Sequence, residues 1–136
     1  MKKLFCIIIL HLIFYNTQAQ QGNELKTLSA EQLISTVSQY SVPVLVHLKA
    51  DWCVVCKKES PQLQQFQKLH ANDIVVLEID LDLNPQLGEH FEIDALPVHL
   101  LYYKSDLVWN KIGKLDFNQL EEILAVLKEK AQKSKR

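Results

Sequence analysis

The chain has 136 residues, with 15 basic and 16 acidic side chains and a formal charge of −1. That length is enough for one domain with a core that needs no staples. The balanced charge offers no surplus for nucleic acid, and the one basic cluster, Lys128 to Arg136, suits the carbonyl end of a last helix and a solvated tail.

Lys2 and Lys3 precede an apolar stretch, Leu4 to Tyr15, broken only by Cys6 and His11, and then a polar segment with small residues at Thr17 and Ala19. This is the pattern of a secretory signal peptide cut between Ala19 and Gln20. The alternative, an uncleaved anchor, is disfavoured because the run is short against the roughly 20 residues a membrane span needs. Cys6 lies early in the run rather than at the cleavage point, which argues against lipid attachment. The expected division is a signal peptide over 1–19, an extension over 20–28, one domain over 29–130 and a basic tail over 131–136. Loss of Lys2 and Lys3 takes the formal charge from −1 to −3. Cys53 and Cys56 would then meet an oxidising compartment, where disulfides persist.

Ser29-Ala-Glu-Gln32 is a capping box before Leu33, Ile34 and Val37, so 29–40 is predicted as a helix. "VPVLVHLKA", Val42 to Ala50, is a continuous apolar and β-branched run, as in a strand covered on both faces. A helix from Cys53 to His70 should bury Leu63, Phe66 and Leu69 and kink at Pro61, which has no N–H to give. "DIVVLEIDLD" predicts a second buried strand over 74–82, and Asn84-Pro85 an N-cap and N1 pair opening a short helix to Phe91. "PVHLLYY" (97–103) and "LVWNKI" (107–112) form a hairpin through Lys104-Ser105-Asp106, and Gly113 breaks the run. Asp116 and Gln119 cap a final helix with Phe117, Leu120, Ile123, Leu124 and Leu127 on its buried stripe. Strands apolar on both faces need helices on both sides, so the order α-β-α-β-α-β-β-α predicts a three-layer α/β/α sandwich around a mixed sheet.

Cys53 falls at a strand-to-helix junction, where unpaired N–H groups and the helix dipole favour a thiolate. Cys56 is one turn on, within reach of Cys53 and expected to be the more buried. An exposed thiol of low pKa with a resolving thiol behind it is what thiol–disulfide exchange requires. A metal site would need two more ligands, and His47, His70, His90 and His99 do not cluster along the chain. Haem attachment would need a histidine where Lys57 stands. A structural disulfide is the bland alternative.

Trp52-Cys53-x-x-Cys56-Lys57 at that junction, Pro61 within the helix, "LPV" with Pro97 opening a later strand, and Gly113 after the hairpin together resemble the thioredoxin family. The resemblance covers about 29–130, and "ADWCVVCK" is most similar to the C-terminal periplasmic domain of membrane thiol:disulfide interchange reductases. It implies that Cys53 attacks and Cys56 resolves. It also implies a cis Pro97 facing the Cys53 sulfur, substrate backbone docking through Leu96, and an apolar docking surface completed by Trp52 and the Gly113 loop. No cofactor is implied. The implied partners are protein disulfides and a separate membrane reductase that restores the dithiol, the implied compartment is the periplasm, and a monomer is the default.

The sequence departs from the family pattern at three places. The family usually has a buried Asp behind the cysteine pair and a Lys on the neighbouring strand, and the matching positions here hold His47 and Glu78. We expect these two to meet, with His47 able to relay the proton that Cys56 must lose; the alternative is a core histidine and a surface glutamate. Val54-Val55 stands between the cysteines, where many thioredoxins have Gly-Pro, so no redox potential carries over. Lys49 replaces a common aromatic residue, either as a solvated rim residue or, with Lys57 and Lys58, as positive potential near Cys53. The expected activity is reduction of substrate disulfides. Its rivals are oxidation or isomerisation in oxidative folding, and a non-catalytic binding module.

Overall fold

The computed structural model describes residues 28–134, so the expected signal peptide and nearly all of the 20–28 extension lie outside the described residues. The elements are α1 (Ala30–Val37), β1 (Val44–Lys49), α2 (Val54–Leu69), β2 (Val75–Asp80), α3 (Pro85–His90), β3 (Val98–Tyr103), β4 (Asp106–Ile112) and α4 (Phe117–Lys133). The sheet order is β2-β1-β3-β4, with β1 parallel to β2 and antiparallel to β3, and β3 antiparallel to β4. The mixed sheet and its order follow from the connections: a helix-sized crossover permits the parallel pair, and a tight turn imposes the antiparallel one.

Side chains alternate across the pleat, and the central strands β1 and β3 are buried on both faces. Val44, Val46 and Leu48 join Leu33 and Val37 of α1 and Leu87 of α3 in one core. Leu45 and Leu101 join Leu63 and Phe66 of α2 and Leu120, Leu124 and Leu127 of α4 in the other. Residues of β1 and β3 in phase with Leu45 and Leu101 therefore face α2, and His47 and His99 are two of them.

Local signals hold at most termini. Ser29 accepts the Gln32 N–H at 3.3 Å while the Gln32 carboxamide accepts the Ser29 N–H at 2.8 Å. Asp116 accepts the N–H groups of Asn118 and Gln119. Helix α2 runs through Pro61 without interruption.

Three expectations are corrected, and one cap works differently. Leu69 is 74% exposed, because six residues of helix turn through about 600° and carry it well off the stripe begun by Leu63. β2 is only half-buried, being an edge strand. Asn84 holds the N-cap position of α3 with Pro85 following it, as expected, but its carboxamide makes no capping bond; it accepts the Leu28 N–H at 2.7 Å and donates to the Asp80 carbonyl at 2.8 Å, tying the start of the domain to the end of β2. The hairpin turns on Lys104 and Ser105 alone, at φ 51° and 71°, and Asp106 already belongs to β4. Two positive φ values match the twist of a two-residue hairpin, although neither residue is the glycine or asparagine that usually signals one.

Candidate active site

β1 ends at Lys49, and a turn closed by the Cys53 N–H on the Ala50 carbonyl (3.1 Å) delivers Cys53 to the N-cap of α2. Its sulfur takes the capping role of a serine or aspartate oxygen and accepts the Cys56 N–H at 3.1 Å. Cys53 and Cys56 are joined as a disulfide with Cα atoms 5.2 Å apart. Cys56 is the more buried, at 1%, but Cys53 is itself only 5% exposed, so the broadly exposed thiol expected from the sequence is not what the disulfide form presents. The exposed surface belongs to the neighbours, Trp52 at 68% and Val54 at 64%. The Trp52 indole N–H reaches Asp82 Oδ1 at 3.3 Å, which orients the ring.

The Leu96–Pro97 peptide is cis, and Pro97 is buried at the start of β3. The Gly113 N–H donates to the Pro97 carbonyl at 2.8 Å, so the segment after β4 is fastened to the cis-proline segment. Gly113 has φ 86°, and a Cβ there would meet nothing within 4 Å. Conformation rather than space is what calls for glycine at this position. Trp52 and Leu96 line one cavity, and Gly113 does not.

His47 is fully buried, and its Nδ1 lies 3.2 Å from Glu78 Oε1, so the two residues that depart from the family pattern do meet. They are register partners on β1 and β2. Burial lowers the His47 pKa, with the Glu78 hydrogen bond only partly opposing it, so the imidazole is neutral near pH 7. Burial works against the Glu78 carboxylate, but hydrogen bonds from Ser60 and His47 outweigh it and hold its pKa below the usual value. The ring is thus fixed as the Nδ1–H tautomer by a carboxylate that can only accept. Its Nε2 is bare and has no hydrogen-bond partner.

Two more residues complete this cluster: Glu59, which the sequence analysis did not single out, and His99, which was set aside there because it stands far from His47 along the chain. His99 pairs with His47 across β1 and β3, and the rings lie face to face, 1° from parallel with centroids 5.0 Å apart. Glu59, only 2% exposed, bonds to His99 Nε2 at 3.0 Å and accepts the Leu115 N–H at 2.6 Å; His47 Nε2 lies 3.8 Å from the same carboxylate. Burial pushes the His99 pKa down to about 4 against the attraction of Glu59. Glu59 follows Cys56 by three residues on the buried face of α2. A carboxylate in phase with Leu63 and Phe66 was a signal open to sequence reading. The meeting of His47 with His99 was not, because it depends on antiparallel register.

His47, Glu59 and His99 are the group among the described residues whose ligand atoms, all within 4.8 Å, could hold a metal. Parallel stacked imidazoles oppose this, since one ion cannot lie in both ring planes unless a ring rotates. Chemically, two neutral imidazoles beside two carboxylates form a buried cluster able to hold or pass a proton among its own members.

A family model described as Thioredoxin matches residues 24–127. The chain is 36% identical over 81 residues to a thioredoxin of Buchnera aphidicola (subsp. Baizongia pistaciae), covering 60% of this chain and 74% of that protein. It is 35% identical over 83 residues to a thioredoxin of Alicyclobacillus acidocaldarius, covering 61% of this chain and 79% of that one. With Thioredoxin 1 of Chlorobaculum tepidum the identity is 24% over 99 residues, 72% of this chain and 98% of the relative. A Cys-x-x-Cys disulfide capping a helix, set in the mixed sheet of an α/β fold and matched over most of the chain, makes this protein a member of the thioredoxin family of thiol–disulfide oxidoreductases.

Proposed function

We propose that the protein is an exported dithiol reductant of protein disulfides. The observation that carries this is the position of Cys53 Sγ at the N-terminus of α2, where it accepts the Cys56 N–H. The same N–H and the helix dipole stabilise a Cys53 thiolate once the disulfide is opened. That thiolate attacks one sulfur of a substrate disulfide. The substrate S–S bond breaks, the first substrate cysteine leaves as a thiolate and takes a proton, and Cys53 is held in a mixed disulfide. Cys56 then gives up its proton and attacks Cys53 Sγ, releasing the second substrate cysteine and reforming the Cys53–Cys56 bond. Two electrons and two protons pass from the dithiol to the substrate.

His47 is the group suited to receive the Cys56 proton, being neutral, buried and unpartnered at Nε2, with Glu78 placed to stabilise the imidazolium. Trp52, the cis-Pro97 segment with Leu96, and the Gly113 turn form the docking surface around the sulfur. Export through the N-terminal segment places the enzyme in an oxidising periplasm, and a separate membrane reductase then has to restore the dithiol. Thiol trapping in cells with and without that reductase tests the partner; a protein still reduced in its absence refutes the assignment.

The reduction potential decides the direction of electron flow. Residues 20–136 equilibrated against a glutathione series and then thiol-trapped should give a value near or below the about −270 mV of thioredoxin. A value near the about −120 mV of a strong oxidant would reassign the protein to oxidative folding, with Val54-Val55 favouring the dithiol.

A further inference from the structure

We infer that the groove beside the disulfide selects cationic polypeptide, so that the preferred substrates carry Lys or Arg next to the reactive cysteine. This rests on the exchange chemistry proposed above and adds the substrate class. Trp52 and Leu96, the residues directly before Cys53 and Pro97, line a cavity of about 540 Å³. Its polar wall carries four carboxylates, Asp82, Glu89, Glu92 and Asp94, all exposed, and no lysine, arginine or histidine lines it. Among the described residues, none of the four is in an ion pair. Four unneutralised carboxylates around one concavity focus negative potential there. Leu81 and Ile93 add apolar lining on which the methylene stems of Lys or Arg can lie while their heads meet the rim.

The surface charge near the disulfide is divided. Lys57 and Lys58, on the first turns of α2, and Lys114, after Gly113, are exposed but do not line this cavity. The acidic wall is therefore local, not a consequence of net charge, which is small, at −1 for the whole chain and −3 without Lys2 and Lys3. An anionic segment in the groove meets like charges with no cation on its wall to offset them.

The test uses cyclic disulfide peptides that differ only at three positions beside one cysteine, carrying Lys/Arg in one and Glu in the other. Pre-reduced protein is mixed with each, and reduction is followed by acid quenching and chromatography at about 20 mM and about 500 mM salt. Exposed ion pairs each contribute a factor of about 1.5 to 5, so the cationic peptide should react roughly tenfold faster at low salt and about twofold faster at high salt. The variant E89Q/E92G/D94N should lose the preference. Glycine at 92 suits the φ of 51° found there, so the backbone is not the casualty. Removing as many carboxylates from α4, with E121Q/E122Q/E129Q, should leave the preference intact. Equal rates in the wild type, or a preference surviving in the groove variant, overturn the inference. If neither peptide is reduced, the reductive role fails, and the same comparison is made with oxidised protein and the dithiol peptides. Faster oxidation of the cationic peptide then keeps the groove selectivity, and equal rates end it.

Discussion

Replacing His99 by leucine tests whether the buried histidine pair makes the fold acid-sensitive. His99 is wholly buried, and its pKa is pushed from 6.5 to about 4, chiefly by loss of hydration. A folded-state pKa below the unfolded one means that the unfolded chain binds the proton first as pH falls. The stability is therefore complete above pH 6.5 and is lost progressively down to about pH 4. One pKa unit corresponds to about 1.4 kcal/mol, so His99 alone accounts for about 3 kcal/mol of acid destabilisation across that window. His47 is shifted in the same direction and adds to the slope. Glu78 acts in a separate window, since its lowered pKa gives stability that is lost only below the usual glutamate range. The substitution H99L removes the titration but leaves the buried Glu59 without its His99 partner, at a cost of about 1–3 kcal/mol near pH 8. Urea denaturation of the disulfide form from pH 8 to 4.5 should therefore give a steep curve for the wild type. The variant's curve should be lower at pH 8 but flatter, and the two should converge near pH 5. Parallel curves, or a wild type with constant stability between pH 7 and 4.5, would refute the account of the buried pair.

Two further predictions concern chemistry. With a disulfide substrate, C56S should accumulate a mixed disulfide at Cys53 and C53S should not, as read by mass spectrometry under non-reducing conditions; accumulation in C53S instead would exchange the roles of the two sulfurs. The substitution H47A should slow the second exchange step by about 10²-fold near neutral pH while leaving the first nearly unchanged. Since His47 is already neutral above its ordinary pKa, the wild-type second step should be nearly flat from pH 7 to 9, whereas the H47A rate should rise with pH as Cys56 comes to depend on solvent base. Stopped-flow rates that match wild type across that range would exclude His47 from proton transfer.

Reading the sequence reached furthest where one residue's neighbours along the chain set its environment. The Ser29–Gln32 and Asp116 caps, the two-faced apolar runs of β1 and β3, and the junction that places Cys53 at a helix start are all local patterns, and each has its counterpart in the structure. Reading along the chain fell short where a side chain had a competing long-range use or where helix geometry overrode an apolar count. Asn84 has the chemistry of an N-cap, yet its carboxamide is drawn off by the Leu28 N–H and the Asp80 carbonyl. Leu69 fits an apolar count but not the angle of the helix, and nothing covers it.

The sequence by itself determined the element order, the sandwich architecture, the cysteine couple and the helix terminus on which it sits, because periodicity and capping act over a few residues. Only the tertiary structure decided which side chains meet in the core and which gather beside the disulfide. His47 meets His99 through antiparallel register, Glu59 reaches both from a helix crossing over the strands, and Asp82 joins Glu89, Glu92 and Asp94 around one cavity because the loops following β2 and α3 converge there. Those contacts depend on how strands align and helices lie across a sheet, which no short stretch of sequence specifies.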